Sequence, residues 1–120
     1  MSAKLNARQP FAVGQRVLAG ATVLSPSGSL THETCEALEA ALEAAAAVPR
    51  PIVVIDVRGV NVIDSASLDL LEEWHEKLEA AGGKMRLANL NDVCADIMLA
   101  SRLLHVLNIS RDVDQAVQAG

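Results

Sequence analysis

Aromatic side chains are almost missing from this sequence: its 120 residues include one Phe, one Trp and no Tyr. A core built on stacked rings is excluded, and with hydrophobic residues at 51% the interior has to be filled by Val, Ile, Leu and Ala. Phe11 and Trp74 become conspicuous for that reason. Cysteine is scarce as well. Cys35 and Cys94 lie far apart among apolar neighbours, and neither has a second ligand at metal spacing. Free buried thiols in a reducing compartment fit better than a disulfide or a zinc site. Positive charge is in deficit, with 10 Lys and Arg against 15 Asp and Glu, a net charge of −5 and a pI near 5.0. That balance argues against a nucleic-acid footprint or an anionic membrane surface, and favours a protein partner or a small ligand. No apolar run approaches a membrane span, and MSAKLNARQP lacks the apolar core of a signal peptide. The expected location is the cytoplasm.

Enzymatic signatures are also lacking. The sequence contains no Gly-rich phosphate loop with its Lys, no GxSxG, no HExxH and no CxxC. His32 falls in the first turn of an expected helix, His75 mid-helix and His105 at a strand start, so each reads as surface or core edge rather than catalytic. Asp56 and Asp64 could close a paired-carboxylate magnesium site. Such a site needs further acidic partners near the N-terminus and a later lysine, and the first strands carry no Asp or Glu. The chain reads as a non-enzyme without cofactor or metal.

What is present centres on Pro51–Leu78. Ile52, Val53, Val54, Ile55 and Val57 form a β-branched run, the mark of a strand buried on both faces. A polar cluster, Asp64-Ser65-Ala66-Ser67, leads into a helix to about Ala81, with Leu68, Leu71, Trp74 or His75, and Leu78 as its apolar stripe. Its spacing makes Trp74 core or core edge; exposed, it would be an interface anchor. Glu73 and Lys77 form an outward i,i+4 pair, and Gly82-Gly83 supplies the left-handed stop.

Around this unit, Met1–Pro10 reads as a flexible tail and residues 11–120 as one domain. Phe11–Ala19 and Ala21–Ser25 suggest two short strands, followed by a turn at Pro26-Ser27-Gly28-Ser29. Thr31 is positioned to cap a helix running to about Ala47, with Glu33 in its first turn and Cys35, Leu38, Leu42 and Ala45 facing inward. Met85–Asn89 suggests a strand, Asn91 or Asp92 the cap of a third helix through Ser101, and Leu104–Ile109 a last strand. Asp112 and Gln115 have capping-box spacing for a short terminal helix. The order ββαβαβαβα calls for an α/β domain whose mixed, mostly parallel sheet has about five strands and about four helices.

The Asp64–Ser67 cluster supports two readings. Asp and Ser cap many helices by accepting hydrogen bonds from the first free N–H groups. Alternatively one hydroxyl is a phosphorylation site, where the phosphate would meet the positive end of the helix dipole and change the loop's charge without unfolding the domain.

The stretch IVVIDVRGVNVIDSASLDLLEEWHEKLEAAGGKMRLANL resembles the core of the STAS domain family of bacterial anti-sigma factor antagonists. That pattern runs apolar strand, Asp, polar turn, apolar pair, Asp-Ser-[Ser/Thr/Ala]-Gly-Leu, helix, Gly-Gly, strand. The resemblance extends from about Ala21 to Ala116, where Asp112–Ala116 is similar to the family's closing helix. It implies a STAS-like fold. It further implies that Ser65 is phosphorylated by a partner anti-sigma kinase and dephosphorylated by a PPM-type phosphatase. The unmodified form would bind the kinase and so release a sigma factor. ATP belongs to the kinase, so no cofactor is implied here. Asp56 matches the strand aspartate, Asp64 the motif aspartate and Ser65 the acceptor; the contact surface would comprise Asp56, Asp64, Ser65, Ala66, Ser67, Leu68 and Asp69. Ser67 stands at the family's glycine and offers a second, less favoured hydroxyl, while Asp69 stands where a small residue is usual. The alternative is a non-switching STAS subunit or scaffold, partnering a lipid-transport ATPase or a sensory complex. Nucleotide or small-anion binding at the helix start is a weaker third reading, and a homodimer stays open.

Overall fold

The computed structural model describes residues 11–100 and 108–118. Six strands form one sheet: β1 (Ala12–Leu18), β2 (Ala21–Leu30), β3 (Ile52–Asp56), β4 (Gly59–Ile63), β5 (Lys84–Ala88) and β6 (Asn108–Ser110). Four helices accompany it: α1 (Cys35–Ala45), α2 (Ser65–Ala80), α3 (Asp92–Ala100) and α4 (Val113–Gln118). The sheet runs β1-β2-β3-β5-β6, with β4 beside the far end of β2. Only β1 is antiparallel to its neighbour; the other pairings are parallel. This is the mixed, mostly parallel α/β domain the sequence calls for. The expected tail at Met1–Pro10, Ser101, Leu104–Leu107 and His105 lie outside the described residues.

The β-branched run of β3 is buried on both faces because helices cover both sides of the sheet. Val53 and Ile55 join Leu24, Met85 and Leu87 beneath Leu38 and Leu42 of α1, Leu71, Trp74 and Leu78 of α2, and Cys94 and Met98 of α3. Val54 points the other way, with Val23 and Ala88, against Val113 and Ala116 of α4. Arg86 shares that second face and donates from Nη1 to the Ala116 carbonyl at 3.2 Å. Trp74 is 6% exposed, which settles it as core and removes it as a surface anchor. Lys77 lies over its ring at 4.5 Å while also pairing with Glu73 at 3.1 Å.

Three local expectations need correction. Pro26–Ser29 is not a turn, for β2 continues to Leu30. Partners on β3 end opposite Leu24 and those on β4 begin opposite Ser27, so Pro26 falls in the gap between them and costs no ladder bond on that side. The register shifts at Gly28/Ser29, where Gly28 takes φ +103, a conformation glycine accepts without strain. Gly59–Ile63, which lies outside the strands expected from the sequence, is itself a sixth strand, pairing with β2 and burying Val60 and Ile63. Thr31 does not cap α1. The chain first turns at Thr31–Thr34, with the Thr34 hydroxyl donating back to the Ser29 carbonyl at 2.6 Å. The helix starts at Cys35, so His32 and Glu33 precede it and Glu36 is the acidic residue of its first turn.

The expected stop of α2 is a Schellman motif: Gly82 N–H donates to Glu79 O at 3.0 Å and Gly83 N–H to Leu78 O at 2.8 Å, with Gly82 at φ +79. At α4 the Asp112 half of the expected capping box forms, Gln115 N–H donating to Asp112 Oδ1 at 2.8 Å, while Gln115 Oε1 accepts from Arg111 N–H at 2.6 Å, one residue before the cap.

The two glycines that end α2 make different demands. A Cβ on Gly83 would collide with the Pro51 carbonyl and sit 2.8 Å from Pro51 N and Cδ. On Gly82 it would have room, its nearest neighbour being Arg50 Cγ at 3.6 Å. Gly83→Ala is therefore expected to cost about 1–3 kcal/mol through overpacking. Gly82→Ala should cost about 1 kcal/mol through its positive φ alone. Urea unfolding should rank the midpoints wild type, Gly82→Ala, Gly83→Ala; a wild-type midpoint for Gly83→Ala would contradict the close approach of Gly83 to Pro51.

Candidate functional site

The parallel pairing of β2 with β4 brings Leu30 opposite Ile63, so both strands release their chains at the same end of the sheet. The loop after β2 carries Thr31–Thr34 into α1, and the step after β4 is Asp64, the N-cap of α2. Residues about thirty positions apart are thereby fastened together. Asp64 N–H donates to Leu30 O at 3.2 Å, and the Ser67 hydroxyl donates to the same carbonyl at 3.0 Å. Asp64 Oδ1 accepts Ser67 N–H at 2.9 Å, capping α2, while Oδ2 accepts His32 N–H at 2.8 Å. The His32 ring approaches the same oxygen, with Nδ1 at 3.6 Å.

This network sorts the expected site residues. Ser65 and Ala66 are exposed at the first turn of α2, and Asp69 is exposed one turn on. Among the described residues no hydrogen bond holds the Ser65 hydroxyl. Ser67, by contrast, is 0% exposed and its hydroxyl points inward to Leu30, so in this fold it offers no oxygen to a modifying enzyme. Leu68 is buried in the core. Asp56 is buried too and does not join this group. Its carboxylate accepts Arg58 N–H, Arg58 Nη2 and Asn89 Nδ2, each at 3.1 Å. Asn89 reaches it from a left-handed conformation, φ +59, which Asn tolerates better than most residues. Asp56 thus braces the β3–β4 and β5–α3 turns and presents little surface to a partner.

No group of three or more His, Cys, Asp or Glu among the described residues is placed to hold a metal ion. Both cysteines are free thiols, and burial pushes the Cys94 thiol above its ordinary range. Nothing local in the chain signals the His32–Asp64 contact; the one clue to it is the strand propensity of Val60–Ile63, which brings β4 beside β2.

Partial burial pushes the Asp64 carboxyl upward, but the hydrogen bonds from Ser67 and His32 outweigh it and leave the group below its ordinary 3.8. A carboxyl lowered in the folded state adds stability above the unfolded value, and that stability is lost as pH falls through the folded value. Asp64→Ala should thus lower stability by about 1 kcal/mol at neutral pH. Asp64→Asn keeps the cap but should flatten the loss of stability on acidification below about pH 4. Denaturant midpoints measured from neutral to acid pH test both. An acid limb equally steep in Asp64→Asn and wild type would show that other carboxylates dominate.

A family model described as the STAS domain matches residues 14–116. No curated protein matches the sequence at a significant level. Among solved structures, an anti-sigma factor antagonist from Mycobacterium paratuberculosis is similar at 25% identity and TM-score 0.82, over 92% of this chain and 93% of that one. The Bacillus cell fate determinant SpoIIAA in its phosphorylated form shares 20% identity at TM-score 0.65, over 92% of this chain and 98% of that one. A sulfate transporter family protein from Wolinella succinogenes shares 20% identity at TM-score 0.73, over 87% of each chain. With the family model spanning nearly the whole described domain, and with the same sheet and helices in these neighbours, the chain belongs to the STAS domain family.

Proposed function

We propose that this chain is a phosphorylation-switched protein-binding module, an anti-sigma factor antagonist that binds an anti-sigma kinase while Ser65 is unmodified. The observation that carries this reading is the exposed Ser65 hydroxyl at the start of α2, beside a cap whose other polar groups are all engaged. The likeness to the antagonist from Mycobacterium paratuberculosis, which extends over nearly the full length of both chains, supports the same class. The chain itself is not an enzyme in this scheme. Ser65 Oγ attacks the terminal phosphorus of ATP held by the kinase. The Oγ–P bond forms as the bond to ADP breaks, and the hydroxyl proton passes to a base on the kinase. A PPM-type phosphatase reverses the state, with water taking the phosphoryl group and the proton returning to Ser65.

The phosphate adds nearly two negative charges between Asp64 and Asp69. Because Asp64, Ser67 and Leu30 hold the backbone independently of the Ser65 side chain, modification changes the surface and leaves the fold in place. A partner packed against the exposed first turn of α2 is then displaced. The protein acts in the cytoplasm alongside the transcription machinery it regulates, and no helix among the described residues is long and apolar enough to cross a membrane.

The likeness to the sulfate transporter family protein favours a second reading, a STAS subunit or scaffold in which the same surface docks permanently and Ser65 is never modified. Incubation with candidate anti-sigma kinases and ATP separates the two. The switch predicts label on wild type and on Ser67→Ala, at least tenfold reduced in Ser65→Ala. Label that survives Ser65→Ala overturns the site, and no label with any candidate supports the scaffold.

A further inference from the structure

We propose that His32 is the cationic partner of a phosphate carried by Ser65, so that the loop after β2 holds the modified state of the switch. The inference rests on Ser65 as phosphoacceptor and concerns the regulation of that same site. Its starting point is the contact between His32 and Asp64, the residue immediately before the acceptor: the backbone N–H at 2.8 Å and ring Nδ1 at 3.6 Å from one carboxylate oxygen. The two contacts have different consequences. The backbone bond fixes where residue 32 sits whatever its side chain. The ring, 72% exposed, is free to turn from the Asp64 oxygen toward a new anion next to it.

Among the described residues of the two converging segments, no other side chain can do this. The converging segments 27–35 and 59–70 contain no Lys or Arg, and His32 is their one side chain able to carry positive charge. The nearest basic residue in sequence, Arg58, lies at the other end of β4 with its guanidinium on Asp56 at 3.1 Å. The remaining charged groups are acidic: Glu33 beside His32 on the loop, and Asp64 and Asp69 on α2. A phosphate on Ser65 would therefore join acidic segments in which, among their described residues, one imidazole is the available counter-charge. Free imidazoles and phosphomonoesters both titrate at about pH 6 to 6.5, so each would stabilise the charged form of the other near neutrality.

The test uses the full chain with phosphoserine installed at position 65 during translation, which requires no kinase. Phosphorus NMR follows the second ionisation of the phosphate with pH in this protein and in the same protein carrying His32→Asn, which keeps the backbone bond to Asp64. The phosphate midpoint is expected to lie about half a pH unit lower with His32 present than in the His32→Asn variant. A purely structural role for His32 would move the Ser67 amide resonance and leave the phosphorus midpoint alone. A phosphorus midpoint indifferent to His32→Asn overturns the inference. Failure of every kinase to label Ser65 would sink the switch while leaving this contact measurable, so the two failures are distinguishable.

Discussion

One backbone carbonyl, that of Leu30, receives both the Asp64 N–H and the Ser67 hydroxyl, and the Asp64 carboxylate returns the tie by accepting the N–H of His32. The end of β2, the loop that follows it and the first turn of α2 are thereby made one rigid corner. Each bond contributes on the order of 1 kcal/mol. Their importance lies in closure, because every member serves a second member and none can shift alone. The exposed face of α2 is presented from that fixed corner.

The corner also decides what a charge placed on Ser65 would feel. A helix N-terminus favours an anion by about 0.3–1 kcal/mol at an exposed position. Two unit charges of like sign 4 Å apart in water repel by about 1 kcal/mol. Repulsion of that order opposes the dipole, so the helix start and the Asp64 carboxylate act against each other on an anion at Ser65. The exposed imidazole of His32, 3.6 Å from the Asp64 oxygen, shifts that balance if it turns to face the phosphate, as proposed above.

Long-range contacts explain which features can be read from the sequence and which cannot. The β3 run, the stripe of α2, the double-glycine stop and the Asp112–Gln115 box are local: their partners lie within a few residues, and periodicity or spacing identifies them. The length of β2 is obscured because Pro26, Gly28 and the serines at 25, 27 and 29 compose like a turn; it is the supply of ladder partners from β1, β3 and β4 that keeps them extended. The start of α1 shifts from the expected Thr31 because the chain first turns, with the Thr34 hydroxyl drawn back to Ser29 at the end of β2 rather than capping the helix. The site behaves likewise. Asp64 as a candidate cap follows from local rules and Ser65 as the candidate acceptor from the family resemblance, whereas the inward turn of Ser67 and the arrival of His32 depend on β4 lying against β2.

Two residues depart from the family pattern at this surface, and the structure separates their effects. Ser67 occupies the glycine position, where an added side chain pointing outward would hold a partner away. Its hydroxyl points inward to Leu30, however, and the residue has no exposed surface, so it strengthens the corner and leaves the outer contour unchanged. Asp69 is the opposite case, exposed one turn along α2 from Ser65 and adding charge where the family has a small neutral residue. On the proposed reading, a partner that buries Asp69 would have to supply a hydrogen-bond donor or a positive charge there, since burying an unpaired carboxylate is far costlier than leaving it in water. On the proposed reading, partner choice would depend more on Asp69 than on Ser67, even though Ser67 stands closer in sequence to the proposed acceptor, Ser65.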